Sequence, residues 1–391
     1  MKRIYLDYAA TTPTDPEVAK AMLPYLTKSY GNPSSLHSFG LEAKEAIEEA
    51  RGSIADSIGA RSSEVIFTSG GTEADNLAIK GITFQNKSRG DHIITSSIEH
   101  PAAIETCKFL EKRGNRITYL RVDSNGLVDP DEIKKAITNK TILVSIMHAN
   151  NEVGTIEPIA DIAKITKEAD IPFHTDAVQT FGHIPVNVKS LGVDLLSVSA
   201  HKLYGPKGIG ALYVRKGLEL TPLFHGGGQE NKNRSGTENT ASIVGFAKAV
   251  DLTIQEIPTE TIRLTSLRDL FIKGILEKID DTRLNGHPQL RLPNNINVSI
   301  DYIEGESVML NLDLEGICVS TGSACSSSEH GPSHVLLAMG LPREQAYGSL
   351  RITLGRWTNE THIEYILDSL IKIVTKLRAM SPLVVKVKNI E

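Results

Sequence analysis

Residues 194–215 read DLLSVSAHKLYGPKGIGALYVR. DLLSVSA is a short, mostly apolar run of the kind that forms a strand buried on both faces. It ends on a polar cluster, Ser199-Ala200-His201-Lys202, and a Gly/Pro loop leads on to a second run, GALYVR. That loop is too short for a helical crossover, so GALYVR is expected to lie antiparallel to its predecessor. Upstream, from about residue 60, four more runs follow the pattern of the first: EVIFTSG, DHIITSS, TILVSIMHA and IPFHTDA. Amphipathic stretches such as EADNLAIKGITFQN, PAAIETCKFLEKRG and PIADIAKITKEAD separate most of them. Strand, helix and strand in repetition predict an α/β domain, a largely parallel sheet with helices on both faces.

Each run closes on polar residues: Thr68 to Thr72, Glu99-His100, Asn150-Asn151-Glu152, Asp176 to Gln179, and Ser199 to Lys202. In a parallel sheet these carboxyl ends share one edge, where open α/β folds bind ligands. Lys202 follows a buried strand, where poor solvation lowers the pKa of an amine and makes it a usable Schiff-base nucleophile. A solvated turn lysine is the alternative, and Lys207, between Pro206 and Gly208, is the rival amine. Asp176 either caps a helix or neutralises a cation such as a pyridinium nitrogen. VIFTSGGTEADN reads as strand, glycine turn and helix start, so the N–H groups near Gly71 and Thr72 form a cradle for an anion such as phosphate. His100 offers a flat ring and a proton near neutral pH, or a structural hydrogen bond. His201, Asn151 and Gln179 carry the same two readings. Arg351, on the apolar run SLRITLG, suits a substrate carboxylate or an internal ion pair.

The chain has 391 residues and three cysteines, too few for a disulfide framework, so a reducing, cytoplasmic setting is expected. A net charge of −5 gives no reason to expect nucleic acid or an anionic membrane as partner, and no apolar run is long enough to span a bilayer. MKRIYLDYAATTP lacks the apolar segment of a signal peptide. Cys107 and Cys318 sit in helical and strand-like contexts and read as packing residues. Cys325 lies in STGSACSSSEHG, which is neither. With His330 and His334 it matches no zinc spacing, so no metal is expected. An idle surface thiol and a nucleophilic thiol on a Ser/Gly-rich segment both remain open. Beyond GGGQENKNRSGTENT the pattern changes from about residue 260 to a long helix, then strands RLPNNINVSI, ICVST and SLRITLG. This predicts a small α+β domain of residues 259–391 joined by 1–15, beside a large domain of 16–258.

Taken together, YLDYAATTP, YGNPSSLHSFG, FTSGGTEADN, IEH, HANNEVG, HTDAVQ, SAHKLYGPKGIG, GGGQE with RSGTEN, STGSACSSS and SLRITLGR resemble the cysteine desulfurases among the class V aminotransferase-like, fold-type-I pyridoxal phosphate enzymes. The ordered set runs from residue 5 to 356, and the serine-rich cysteine segment is similar to the nitrogen-fixation/iron–sulfur-assembly branch. The resemblance implies a seven-stranded-type large-domain sheet and pyridoxal 5'-phosphate as cofactor. It implies Lys202 as the cofactor-bearing lysine, His100 stacked on the ring, Asp176 at the ring nitrogen and Gln179 at the ring oxygen. Gly71, Thr72, Ser199 and His201 would hold the phosphate, and Thr237 that of a neighbouring subunit, so a homodimer is implied. Asn32, Asn151 and Arg351 would hold the carboxylate of L-cysteine, with Cys325 as sulfur acceptor. A sulfur-acceptor protein such as an iron–sulfur scaffold, or tRNA thiolation, lies downstream. A selenocysteine lyase, another small-amino-acid enzyme and a non-catalytic scaffold are the alternatives. The family commonly has arginine after GGGQE, where this chain has Asn231.

Overall fold

The computed structural model describes residues 3–321 and 331–381. Its strands are β1 (Ile4–Tyr5), β2 (Val65–Thr68), β3 (His92–Ser96), β4 (Arg116–Leu120), β5 (Thr141–Ser145), β6 (Phe173–Asp176), β7 (Leu195–Ser199), β8 (Gly210–Val214), β9 (Thr282–Leu284), β10 (Asn295–Ile300), β11 (Ile317–Cys318) and β12 (Ser349–Thr353). Seven of them form one sheet in the order β2-β8-β7-β6-β5-β3-β4. β3 to β7 pair in parallel, and β8 runs antiparallel to both β2 and β7, as the short Gly/Pro loop requires.

Both faces of this sheet are covered, so apolar side chains point both ways along its strands. On β2, Val65 and Phe67 enter one core while Ile66 enters the other, and on β8 Ala211 and Tyr213 oppose Leu212 and Val214. The seventh strand, β4, is not among the six runs read from the sequence. It is an edge strand, and its residues Arg116 to Tyr119 are only partly covered or exposed, so its composition RITYL carries no continuous apolar signal.

A second core is built on β12-β10-β9 and on β1, which pairs with β11. The helix Thr240–Lys278 connects the two cores without a break, passing Pro258. Its first half gives Ile243, Phe246 and Val250 to the large core, and its second half gives Leu264, Leu267, Phe271 and Ile275 to the smaller one. The change expected near residue 259 is therefore a change of packing partner within one helix.

The segment 226–239 is pinned from below by a buried ion pair. Arg51 donates to Glu230 through Nη1 and Nη2 at 2.6 and 2.8 Å, and the same carboxylate accepts from Phe67 N at 2.8 Å. Glu230 and Asn231 both have left-handed backbone, φ 47° and 54°. Asparagine tolerates that conformation better than arginine does, which gives the departure at Asn231 a local reason. Removing one partner of a buried pair leaves the other charge uncompensated. Glu230→Gln is expected to lower the unfolding free energy in urea by about 3 kcal/mol, and an unchanged midpoint would refute this role.

Candidate active site

At the carboxyl ends of the parallel strands lies a cavity of about 240 Å³. Ten residues singled out from the sequence line it: Gly71, Thr72, His100, Asn151, Asp176, Gln179, Ser199, His201, Lys202 and Arg351. Nine come from strand-end clusters of the large sheet, and Arg351 reaches in from β12 of the smaller core. Thr237 and Asn32 are exposed and do not line it. Cys325 lies outside the described residues, as does His330.

Glycines let the backbone close on the cavity. β8 begins at Gly210 against Gly70, where a Cβ would stand 2.6 Å from the Val198 carbonyl oxygen and 2.8 Å from the Gly70 backbone. The helix Gly71–Gln85 starts there, and the N–H groups of its first turn have no intrahelical acceptor. Ser199 Oγ is buried beside it without a partner among the described residues. An orphaned hydroxyl, a helix N-terminus and a glycine turn together are a donor set for a phosphate. Glu73 secures the turn, accepting from Ser69 N at 2.8 Å and pairing with Arg234 at 2.8 Å.

Asp176 ends β6 with Oδ1 accepting from Val178 N at 2.8 Å. Burial raises its carboxyl to about 6, against the opposing pull of that hydrogen bond and of Lys202. Behind it Asp75, also fully buried, is raised by burial and by the charge on Asp176. Asp75 lies 3.6 Å from His174, but burial lowers His174 to about 3, so this contact is no ion pair at neutral pH. The negative charge of the acid pair therefore resides on Asp176, facing the cavity, where it suits a cationic ring nitrogen.

His100 caps the helix Pro101–Glu111, its Nδ1 accepting from Ala102 N at 3.1 Å. That bond assigns the proton to Nε2 in the neutral ring. Burial, then the nearby charges of Lys202 and His334, lowers its pKa to about 4. His100 is therefore a neutral flat ring with one N–H to donate.

The tight turn after β1 completes the site, and the sequence reading did not single it out. Lys202 Nζ donates to the carbonyls of Ala9 and Ala10 at 2.5 and 2.7 Å, and Gln179 Nε2 donates to Ala9 at 3.1 Å. His201 Nδ1 meets Thr11 Oγ1 at 3.1 Å. Backbone carbonyls leave no mark in residue type, so only the position of YLDYAATTP in the fold shows their part. Asp75, Met147 and Val178 also line the cavity. Their signals were lost because an acid in a helix and two apolar residues at strand ends have ordinary explanations. Arg351, 1% exposed, donates through Nη1 to Asn151 O at 3.2 Å and pairs through Nη2 with Asp7 at 2.9 Å.

Among the described residues no cluster of His, Cys, Asp and Glu could hold a metal ion, and no helix is long and apolar enough to cross a membrane. Residues 4–366 match the family model Aminotransferase class-V. The chain is 61% identical over 383 residues to the cysteine desulfurase IscS of Dictyoglomus turgidum, covering 98% of this chain and 97% of that protein. A solved structure of a NifS-like protein superposes with a TM-score of 0.90 at 39% identity, over 96% of this chain and all (100%) of its own. Another, SspA in complex with cysteine, gives a TM-score of 0.80 at 42% identity, over 90% of this chain and 98% of its own.

Proposed function

This chain belongs to the class-V aminotransferase family and is a cysteine desulfurase, and we propose that it binds pyridoxal 5'-phosphate in the strand-end cavity and moves sulfur from L-cysteine onto Cys325. The observation that supports this most is the convergence of His100, Asp176, Ser199 and Lys202, from the ends of β3, β6 and β7, and of Arg351, from within β12, on one cavity. Ser199, His201, Thr72 and the backbone at Gly71 would hold the phosphate, Asp176 the ring nitrogen, Gln179 the ring oxygen, and His100 one face of the ring. When bound, the cofactor supplies an electron sink for the carbanion left when the substrate's α-proton departs.

The chain's own residues do the rest. Lys202 would hold the cofactor covalently, and its amine would accept the α-proton. Arg351 and Asn151 hold the substrate carboxylate, which fixes the α-carbon within reach of Lys202. His100, neutral and with Nδ1 held by Ala102 N, would donate its Nε2–H as a hydrogen bond near the substrate thiol and so favour the thiolate there. The Cys325 thiolate attacks the substrate sulfur, and an S–S bond forms as the C–S bond breaks. The electrons of that bond stay with the carbon, which is protonated to alanine, and a persulfide remains on Cys325. Its sulfur then passes to an acceptor protein for iron–sulfur cluster assembly or tRNA thiolation, in the cytoplasm.

The working unit is a homodimer. Support comes from a run of exposed apolar side chains at residues 23–41, including Tyr30 at 68% and Leu36 at 90% exposed, more than a soluble monomer ordinarily leaves uncovered in one stretch. Asn32 falls within this run, and Thr237 is exposed. Both would then reach a site from the partner's side. The function is tested by incubating the cofactor-loaded protein with L-cysteine. Equimolar alanine and transferred sulfur are expected, and an absence of alanine would refute it.

A further inference from the structure

Arg351 makes one ion pair among the described residues, and it is with Asp7. The backbone holds this contact in place. Asp7 bridges to Thr353, two residues along β12 from Arg351, and Thr353 N donates to Leu6 O at 2.8 Å. Thr353 Oγ1 also accepts from Ala9 N at 2.9 Å, and the Asp7 carbonyl accepts from Tyr5 OH at 2.9 Å and Ala10 N at 3.0 Å. The Asp7 carboxylate is thereby fixed 2.9 Å from Nη2, outside the lining of the cavity, while the guanidinium itself lines it.

A guanidinium grips a carboxylate best through two parallel N–H bonds. Arg351 already gives Nη1 to Asn151 O and Nη2 to Asp7, and among the described residues Nε has no partner. Each Nη has a second N–H, so a substrate carboxylate gripped by two nitrogens would bind at Nη1 or Nη2 directly beside an acceptor already present. On the Nη2 side that acceptor is a second negative charge, and like charges close together in a poorly solvated site oppose each other. The Arg351–Asp7 pair is moreover neutral as a unit, so its attraction for an incoming anion is weaker than that of a lone arginine.

We propose that Asp7 is a positioning residue that competes with the substrate carboxylate for Arg351 and so sets the affinity for L-cysteine and for the departing L-alanine. This rests on Arg351 as the carboxylate-holding residue of the desulfurase reading. A residue that merely propped up Arg351 would give the opposite sign when altered, since loosening the guanidinium raises KM.

The test is Asp7→Asn in the cofactor-loaded enzyme. KM for L-cysteine and the dissociation constant of L-alanine, read from the absorption of the bound cofactor, are both expected to fall about tenfold. Cysteamine, which lacks the carboxylate, gains nothing. An unchanged or raised KM overturns the proposal, as does an equal gain for cysteamine. Should the Asn protein not fold, Asp7→Ser removes the same charge and carries the same expectation. A wild-type enzyme that makes no alanine would instead refute the desulfurase reading and leave the competition to be read from alanine binding alone.

Discussion

Lys202→Ala is expected to reduce alanine formation from L-cysteine by at least about 10³-fold, because in the proposed mechanism Lys202 provides both the covalent attachment of the cofactor and the base for the α-proton. The same protein, loaded with pyridoxal 5'-phosphate, should lose the bond to the chain that borohydride traps. The geometry separates this lysine from its rival. Lys202 lines the cavity with Asp176, His100 and Ser199, and the carbonyls of Ala9 and Ala10 hold its amine there. Lys207 is exposed and borders a different hollow, beside Tyr8 and Trp357. Lys207→Ala should accordingly keep activity within about twofold, as surface substitutions usually do. Trapping and turnover that survive in Lys202→Ala would transfer the role to Lys207.

The strand ends were legible because two independent signals coincide there. Apolar runs mark the strands, and a polar cluster at the end of each run marks the edge where a parallel sheet opens. DLLSVSA followed by His201 and Lys202 is a clear case, and β7 ends at Ser199 with Lys202 in the cavity. Where one of the two signals was missing, the reading failed. β4 was missed because an edge strand buries too little to be apolar throughout. The Ala9 and Ala10 carbonyls were missed because hydrogen bonds through backbone atoms are independent of side-chain type. Asp75 reads as an ordinary polar residue of an amphipathic helix, and only packing reveals that it faces Asp176 and is fully buried.

Cys318 differs in another way. Its context suggested a packed core thiol, yet it is half-buried on β11 with Sγ 3.6 Å from Asp313. A two-residue strand at the border of the smaller core covers only one side of it. Asn32 and Thr237 were tied to the site by motif alone, and both are exposed in the single chain. In the proposed homodimer they would serve a site shared between subunits, which intrachain periodicity does not reveal.

Cys325→Ser should lower alanine formation by about 10³-fold or more, the scale on which losing a covalent nucleophile is felt. A serine hydroxyl is not ionised near neutral pH and does not attack a thiol sulfur, whereas a thiolate does. The other two cysteines are poor substitutes. Cys107 is fully buried, and its thiol is pushed up to about 12 by burial and the charges of Glu99 and Glu111. Cys318 is raised by burial and by its hydrogen bond to Asp313. Neither lines the cavity. The residues assigned to the cofactor all lie outside the segment that carries Cys325, so the serine protein should bind pyridoxal 5'-phosphate normally. Its absorption should still respond to L-cysteine, and mass spectrometry should find no added sulfur on the chain. That pattern separates the two largest losses, since Lys202→Ala loses the trapped cofactor while Cys325→Ser keeps it and loses only the sulfur. Alanine released at the wild-type rate by the serine protein would mean that sulfur leaves without a protein thiol, and the role of Cys325 would fall.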